Sequence, residues 1–434
     1  NEFVSLILMA FFLVSCSQNK PAPLNEVDLL INNEDQLTQV IIYDVFTPPV
    51  ASRIYVYSSL ASYEAIRFAK EGTSSIAEKL NGFGKMPVPE KGKNYNFSLA
   101  ATKAFFKVTR NVKVFSIDSL TKYEQSVYDN YKANLDEVTY NNSIAFGDTV
   151  AAVILARAKT DGYAISRGKQ KYLGSNEPGK WRPTPPDYLD GVEWCWNTMK
   201  PMVLDSASQF KPNRPPKYET KPGTTFYGMM KEVYDINKNL TDEQKLIAKY
   251  WDDNPFVIEH AGHMVYGNKK ITPGGHWIGI TAQVVKQANA DAVKSAQSFA
   301  LTAVALYDGF ISCWDEKYRS SYVRPVTVIN ELLDKNWAPL LQTPPFPEYT
   351  SGHSTITASA ATVLTKLYGE NFAFEDSSDY KYIGLKRKFS SFQAAASEAS
   401  ISRVYGGIHY TLSVNVGNEQ GKKVGGLVVK KLLE

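Results

Sequence analysis

At 434 residues, with 44% hydrophobic and 12% aromatic content, the chain is long and apolar enough to bury an extensive core, which excludes an intrinsically disordered chain. Its 48 basic and 44 acidic residues leave a net charge of only +4, with no local Lys/Arg stripe. That balance excludes nucleic acid as a partner and points to small molecules.

Phe3 to Val14 is almost wholly apolar. The run is shorter than the roughly 20 residues that span a bilayer and suits the hydrophobic region of a signal peptide. It ends at Leu13-Val14-Ser15-Cys16, which resembles a bacterial lipoprotein signal. Residues 1–16 are therefore expected to be a leader, Cys16 a lipidation site, and residues 17–35 a tether. The implied location is the bacterial cell envelope, with membrane contact through a lipid anchor only. Cys195 and Cys313 then remain, too few and too far apart for a disulfide framework, and their pairing is left open. Cys313 reads as a small buried apolar residue.

Residues 36–300 read as an N-terminal helical region. Pro48-Pro49 opens a helix whose Val50, Ile54, Tyr57, Ala61 and Ala65 share one apolar face. Helices follow near 97–110, 117–136 and 143–160. Residues 164–222 carry nine prolines together with aromatic residues from Trp181 to Trp196, which predicts a long ordered loop over the surface or over a cleft. Helices resume at 224–238 and 241–252, where Thr241 and Gln244 form a capping box. His260 and His263, three apart, could share a metal with His276, but a second reading places residues 273–277 in a loop at a cleft mouth. The longest helix is expected at 288–314. Shorter ones fall at 325–334, 352–368 and 383–399, and a last helix after His409 carries Gly417, Gly421 and Gly425 as a packing stripe. With no alternating strand pattern, the fold class is all-α, built of helical bundles with one long Pro- and aromatic-rich loop region.

The stretch from Pro344 to Ser354 carries the chemistry. Its prolines fix an extended entry, and Ser351-Gly352 then opens a helix whose first N–H groups have no intrahelical partner, a ready anion site. Lys317 and Arg324 stand seven apart, with Pro325 placed to start the next helix, and Arg403 adds a second planar guanidinium suited to oxyanions. His353 lies among these cations, which favours its neutral form, while the pair Gly406-Gly407 lets the backbone turn His409 back towards the same anion. One imidazole can act as ligand or nucleophile and the other can move the proton.

Lys317, six residues, Arg324-Pro325; Thr350-Ser351-Gly352-His353; Ser402-Arg403, five residues, His409: in this order and spacing the motifs resemble the signature of the type 2 phosphatidic acid phosphatase and vanadium haloperoxidase superfamily. The resemblance places the catalytic region at 301–434. It implies that Lys317, Arg324, Ser351, Gly352 and Arg403 hold an oxyanion, that His409 is the axial vanadium ligand or the phosphatase nucleophile, and that His353 is the acid-base group. Two positions depart from the pattern. Thr350 replaces a Pro, and Ser413 stands where the phosphatases often place an Asp that orients the second histidine. Trp314 and Phe346 match aromatic positions of the halide pocket in the chloroperoxidase branch. The implied function is a vanadium-dependent haloperoxidase with vanadate as cofactor and peroxide and halide as substrates. The alternatives are an acid phosphatase, cofactor-free, acting on phosphate esters through a phosphohistidine at His409, and a non-catalytic oxyanion-binding lipoprotein. A binding module would not need both histidines.

Overall fold

The computed structural model describes residues 20–434 apart from 113, 262, 268 and 269. Side-chain caps set most of the early helix starts. Asn25 caps α1 (Glu26–Tyr43), Thr47 caps α2 (Pro48–Ile66) and Asn96 caps α3 (Phe97–Asn111), each accepting a backbone N–H of the first turn. Residues 26–35, read from the sequence as tether, are therefore the first part of α1. Leu30, Leu37 and Ile41 give α1 a buried face that the polar run Asn32 to Asp35 masks in the sequence. The leader and Cys16 lie outside the described residues.

α4 (Ile117–Asn134) and α5 (Glu137–Lys159) follow, the latter starting earlier than expected because Asp136 caps it. Residues 164–222 are mostly irregular, with α6 (Tyr163–Arg167) at their start and a 3₁₀ turn at Trp196–Thr198. Their anchor is buried Asp308, whose carboxylate accepts the N–H groups of Met202, Val203 and Leu204 at 2.7, 2.7 and 2.9 Å. Next come α7 (Thr225–Lys238) and α8 (Asp242–Tyr250), whose start shows the Thr241–Gln244 capping box.

A hairpin of β1 (Ile258–Ala261) and β2 (Met264–Gly267) precedes α9 (Pro273–Gln287). Residues 273–277 are thus the first turn of a helix, not a loop, because Thr272 caps it and Pro273 occupies its first position. The long helix is α10 (Ala292–Ser320), which starts after its cap Asp291 and runs beyond Trp314. It is the buried axis of the fold, packed by α2, α9, α12 (Gly352–Tyr368) and α15 (Thr411–Leu432). Short α11 (Pro325–Leu332) lies between α10 and α12. Where one helix was expected at 383–399, β3 (Phe374–Asp376) and β4 (Arg387–Phe389) pair around α13 (Tyr380–Ile383), and α14 runs from Phe392 to Tyr405. Among the described residues, no helix is long and apolar enough to cross a membrane. Cys195 and Cys313 are both free and buried.

The glycine stripe packs α15 on α12. A Cβ on Gly425 would sit 2.5 Å from the Ser359 carbonyl oxygen, and one on Gly421 would collide with that of Thr355. Gly421→Ala is expected to cost about 3 kcal/mol, because backbone on both sides leaves no flexible side chain to give way. Denaturant unfolding reads this directly; an unchanged midpoint would mean the two helices can separate freely.

Glu34 of α1 is buried, with Ser59 donating to one carboxylate oxygen at 2.6 Å and no partner on the other. Burial pushes its carboxyl up to about 8, with the Ser59 hydrogen bond opposing. The folded form therefore keeps a proton that the unfolded chain loses near its ordinary value of 4.5, so this contribution to stability declines as pH rises from about 4.5 to about 8. Glu34→Gln should remove the decline and be the more stable form at pH 8 by on the order of 2–4 kcal/mol. Melting curves at pH 4.5 and 8 would show no such divergence if Glu34 were ionised in the fold.

Candidate active site

Ser321 ends α10 in a left-handed conformation (φ 49°), so Lys317 and Arg324 are not on one continuous helix. Lys317 projects from the last turn of α10, while Arg324 is the residue before α11. Both are fully buried. The Lys317 Nζ donates to the carbonyls of Pro347 (2.9 Å) and Glu348 (3.1 Å). Arg324 donates Nε to Phe346 O (3.0 Å) and Nη1 to Ile408 O (2.7 Å), with Nη1 also 3.2 Å from His409 Nε2. Its Nη2 is buried without a partner.

Ser351 caps α12 by accepting Ser354 N–H at 3.3 Å, which makes Gly352 the first helical residue, its N–H at the helix start where no intrahelical partner exists. Trp314 and Lys317 close over Gly352, where a Cβ would meet their atoms at 3.5 and 3.8 Å. Arg403 comes from the last turn of α14, its Nη1 3.3 Å from His353 Nε2. Gly407 then takes φ 75°, and the chain reverses to deliver His409. Residues far apart in the sequence thus meet at one wall, as their motifs predict.

Burial, reinforced by Arg324, Lys317 and Arg403, holds His409 well below the usual imidazole range. Its ring is neutral. Nδ1 lies 2.7 Å from Glu348 Oε1 and donates to it, which leaves the Nε2 lone pair facing the cations. Burial and Arg403 likewise hold His353 low, so it too is a neutral base. Burial also pushes Lys317 down to about 7 and Arg324 down to about 10. Buried cations of this kind are costly until an anion arrives to share their charge.

Beside the cations lies a narrow cleft walled by Phe256, Phe310, Trp314 and Phe346 and floored by His353 and His409. The Trp314 and Phe346 rings stand 5.0 Å apart, and Phe346 takes Lys317 at 5.0 Å and Arg324 at 5.2 Å over its ring. The aromatic pair thus stands directly beside the buried cations. Pro48, Asp253 and Pro273 also line the cleft, so the N-terminal region completes a site whose motifs lie after residue 300. A roomier cleft between α1, α9 and residues 377–386 contains none of these groups. The loop at 164–222 supports the site from behind rather than covering it: Val192 donates to Pro345 O at 3.0 Å and accepts from Trp314 Nε1 at 3.2 Å.

Glu348 is the principal residue that sequence reasoning misses. It supplies the carboxylate that Ser413 lacks, from a different segment. Asp253, 3.9 Å from His353, is also missed. Of the three histidines read as a possible metal set, His276 turns its two ring nitrogens to carboxylates, Asp253 and Asp376. His263 is exposed, and the His260 side chain lies outside the described residues.

The fold thus brings three buried cations, a helix N-terminus and two neutral imidazoles to one place. The family model for the VCPO second helical-bundle domain matches residues 297–336 and 330–434. A solved structure described as the first bacterial vanadium-dependent iodoperoxidase is similar over 95% of this chain and 98% of its own, at 42% identity and TM-score 0.88. Bacterial vanadium-dependent chloroperoxidase in holo form shares the fold at 18% identity and TM-score 0.69, over 89% of this chain and 93% of its own. A search of curated proteins gives no match. The chain belongs to the vanadium-dependent haloperoxidase family, and it is an enzyme of the peroxidase type.

Proposed function

We propose that the cradle binds vanadate and that the enzyme uses hydrogen peroxide to oxidise halide, iodide in preference to bromide. The observation that carries this reading is Arg324, one nitrogen of which lies against His409 Nε2 while another is buried with nothing to bond. A tetrahedral oxyanion fits there. Lys317, Arg324, Arg403, Ser351 and the Gly352 N–H would hold its oxygens, and His409 Nε2 would be its protein ligand. Vanadate bound in this way supplies a Lewis-acidic centre at which hydrogen peroxide is activated for attack by halide, without a change in the vanadium oxidation state.

The chain's own residues do the rest. Glu348 keeps the His409 proton on Nδ1, so that Nε2 remains a ligand. His353 Nε2 accepts the proton that peroxide gives up on entry and returns it when product leaves. Trp314, Phe346, Phe310 and Phe256 offer an apolar, polarisable wall, which suits the large and weakly hydrated iodide ion. The similar iodoperoxidase supports the same choice. The apolar run ending in Leu13-Val14-Ser15-Cys16 supports export and lipid anchoring at a bacterial envelope.

The test is turnover with and without orthovanadate on iodide, bromide and chloride plus peroxide, beside hydrolysis of a chromogenic phosphate ester. Vanadate-dependent halide oxidation, fastest with iodide, is the expected result. Ester hydrolysis inhibited by vanadate, without halide oxidation, would move the enzyme to the phosphatase chemistry. Neither activity would leave an oxyanion binder.

A further inference from the structure

Outside the cradle, a set of buried ionisable groups surrounds His276. Its Nδ1 lies 3.0 and 3.1 Å from the two Asp253 oxygens, and its Nε2 lies 2.8 Å from Asp376 Oδ2. All three residues are buried. Ionised carboxylates only accept hydrogen bonds, so both ring nitrogens must carry protons and the ring is an imidazolium. Burial opposes that charge, yet the two aspartates outweigh it and hold the imidazole well above its ordinary range.

The same ring is stacked under Trp251, with centroids 4.5 Å apart and planes 21° from parallel. Trp251 to Asp253 is the segment that touches the catalytic groups. The carbonyls of Trp251 and Asp252 accept from Arg403 at 2.5 and 3.2 Å, and Asp253 Oδ2 lies 3.9 Å from His353 Nε2. Asp253 itself has φ 42°, a left-handed backbone that a non-glycine residue keeps only where its surroundings impose it. The ion pair to His276 and the stack on Trp251 are the restraints that impose it.

We propose that His276 is a positioning residue for catalysis, a fixed cation clamped between Asp253 and Asp376 that holds the Trp251–Asp253 segment against Arg403 and His353. The inference rests on the haloperoxidase reading above, since it assigns a role in that reaction. Asp379 stands close enough to Asp253 and His276 to invite a metal ion. Both ring nitrogens already donate to carboxylates, however, so no lone pair is left for one.

With five histidines in the chain, selective ¹⁵N labelling of histidine gives a spectrum in which each ring can be assigned. In the full protein, His276 should show two protonated ring nitrogens at neutral pH. His276→Gln should lower kcat for vanadate-dependent iodide oxidation by about ten- to a hundred-fold, the range for partners that orient a working group. KM should change little, and the His353 resonances should move while those of His409 stay in place. Asp376→Asn keeps the imidazole and should shift the same signals by less, which keeps the test alive if His276→Gln does not fold. A structural role alone would lower the melting temperature and leave kcat and the His353 signal untouched; that result, or neutral-imidazole shifts for His276, would overturn the proposal. If the unsubstituted protein shows no vanadate-dependent oxidation, the haloperoxidase reading fails, while the spectra still decide the clamp.

Discussion

Replacing His409 with Ala is expected to reduce vanadate-dependent halide oxidation at least about a thousand-fold in kcat/KM, the upper end of what one preorganised electrostatic group supplies. The size follows from its position. His409 is 2% exposed, its ring is kept neutral by burial and by Arg324 and Lys317, and Nε2 is its only nitrogen free to act as a ligand. Alanine removes that lone pair and also strands Arg324 Nη1, which lies 3.2 Å away. Steady-state rates with saturating orthovanadate, beside circular dichroism to confirm folding, check the prediction. A rate within tenfold of the parent would mean that another group serves as the ligand.

The second large effect is expected at Glu348. Glu348→Gln should lower turnover by about ten- to a hundred-fold, as loss of a ligand-orienting partner does. It should also destabilise the oxyanion-free protein by about 3 kcal/mol, because Arg324 and Lys317 lose the one fully buried carboxylate beside them. Glutamine can still accept the Nδ1 proton through its amide oxygen, so the charge is what is removed. Saturating orthovanadate should return most of the lost melting temperature, since a bound anion supplies the missing charge and binds only the folded state. A variant as stable as the parent without vanadate would show that the Glu348 carboxyl is protonated there. Burial does push it up to about 7, against the pull of Arg324 and Lys317.

Much of the cradle is legible in the sequence because its groups have few substitutes. A guanidinium, a Gly-opened helix N-terminus and an imidazole are each required at fixed spacing, and the turn through Gly407 is written into its pair with Gly406. Glu348 hides for the opposite reason. The family pattern places a carboxylate four residues after His409, in the first turn of α15, whereas the one that arrives comes from a residue 61 positions earlier. Asp253 and His276 carry no local signal at all; only the packing of α9 against the 250–254 segment gives them meaning.

The helices show the same division. The Thr241–Gln244 box and the glycine stripe of α15 depend on neighbours one or two turns away and are readable. By contrast, Gly274 and Gly275 make the start of α9 look like a loop, although Thr272-Pro273 is a helix entry. The hairpin of β3 and β4 interrupts an expected helix because three-residue strands are too short to show a period. The buried face of α1 was lost among Asn and Asp residues, yet it closes one side of the core.

This buried cradle is expected to bind one vanadate, with His409 completing the site. Isothermal titration of orthovanadate into the metal-free protein, and into His409→Ala, tests it most directly. The account predicts one vanadate per chain, with affinity falling at least about tenfold in the variant, as for a weakened metal site. No saturable binding, or equal affinity in both proteins, would contradict it.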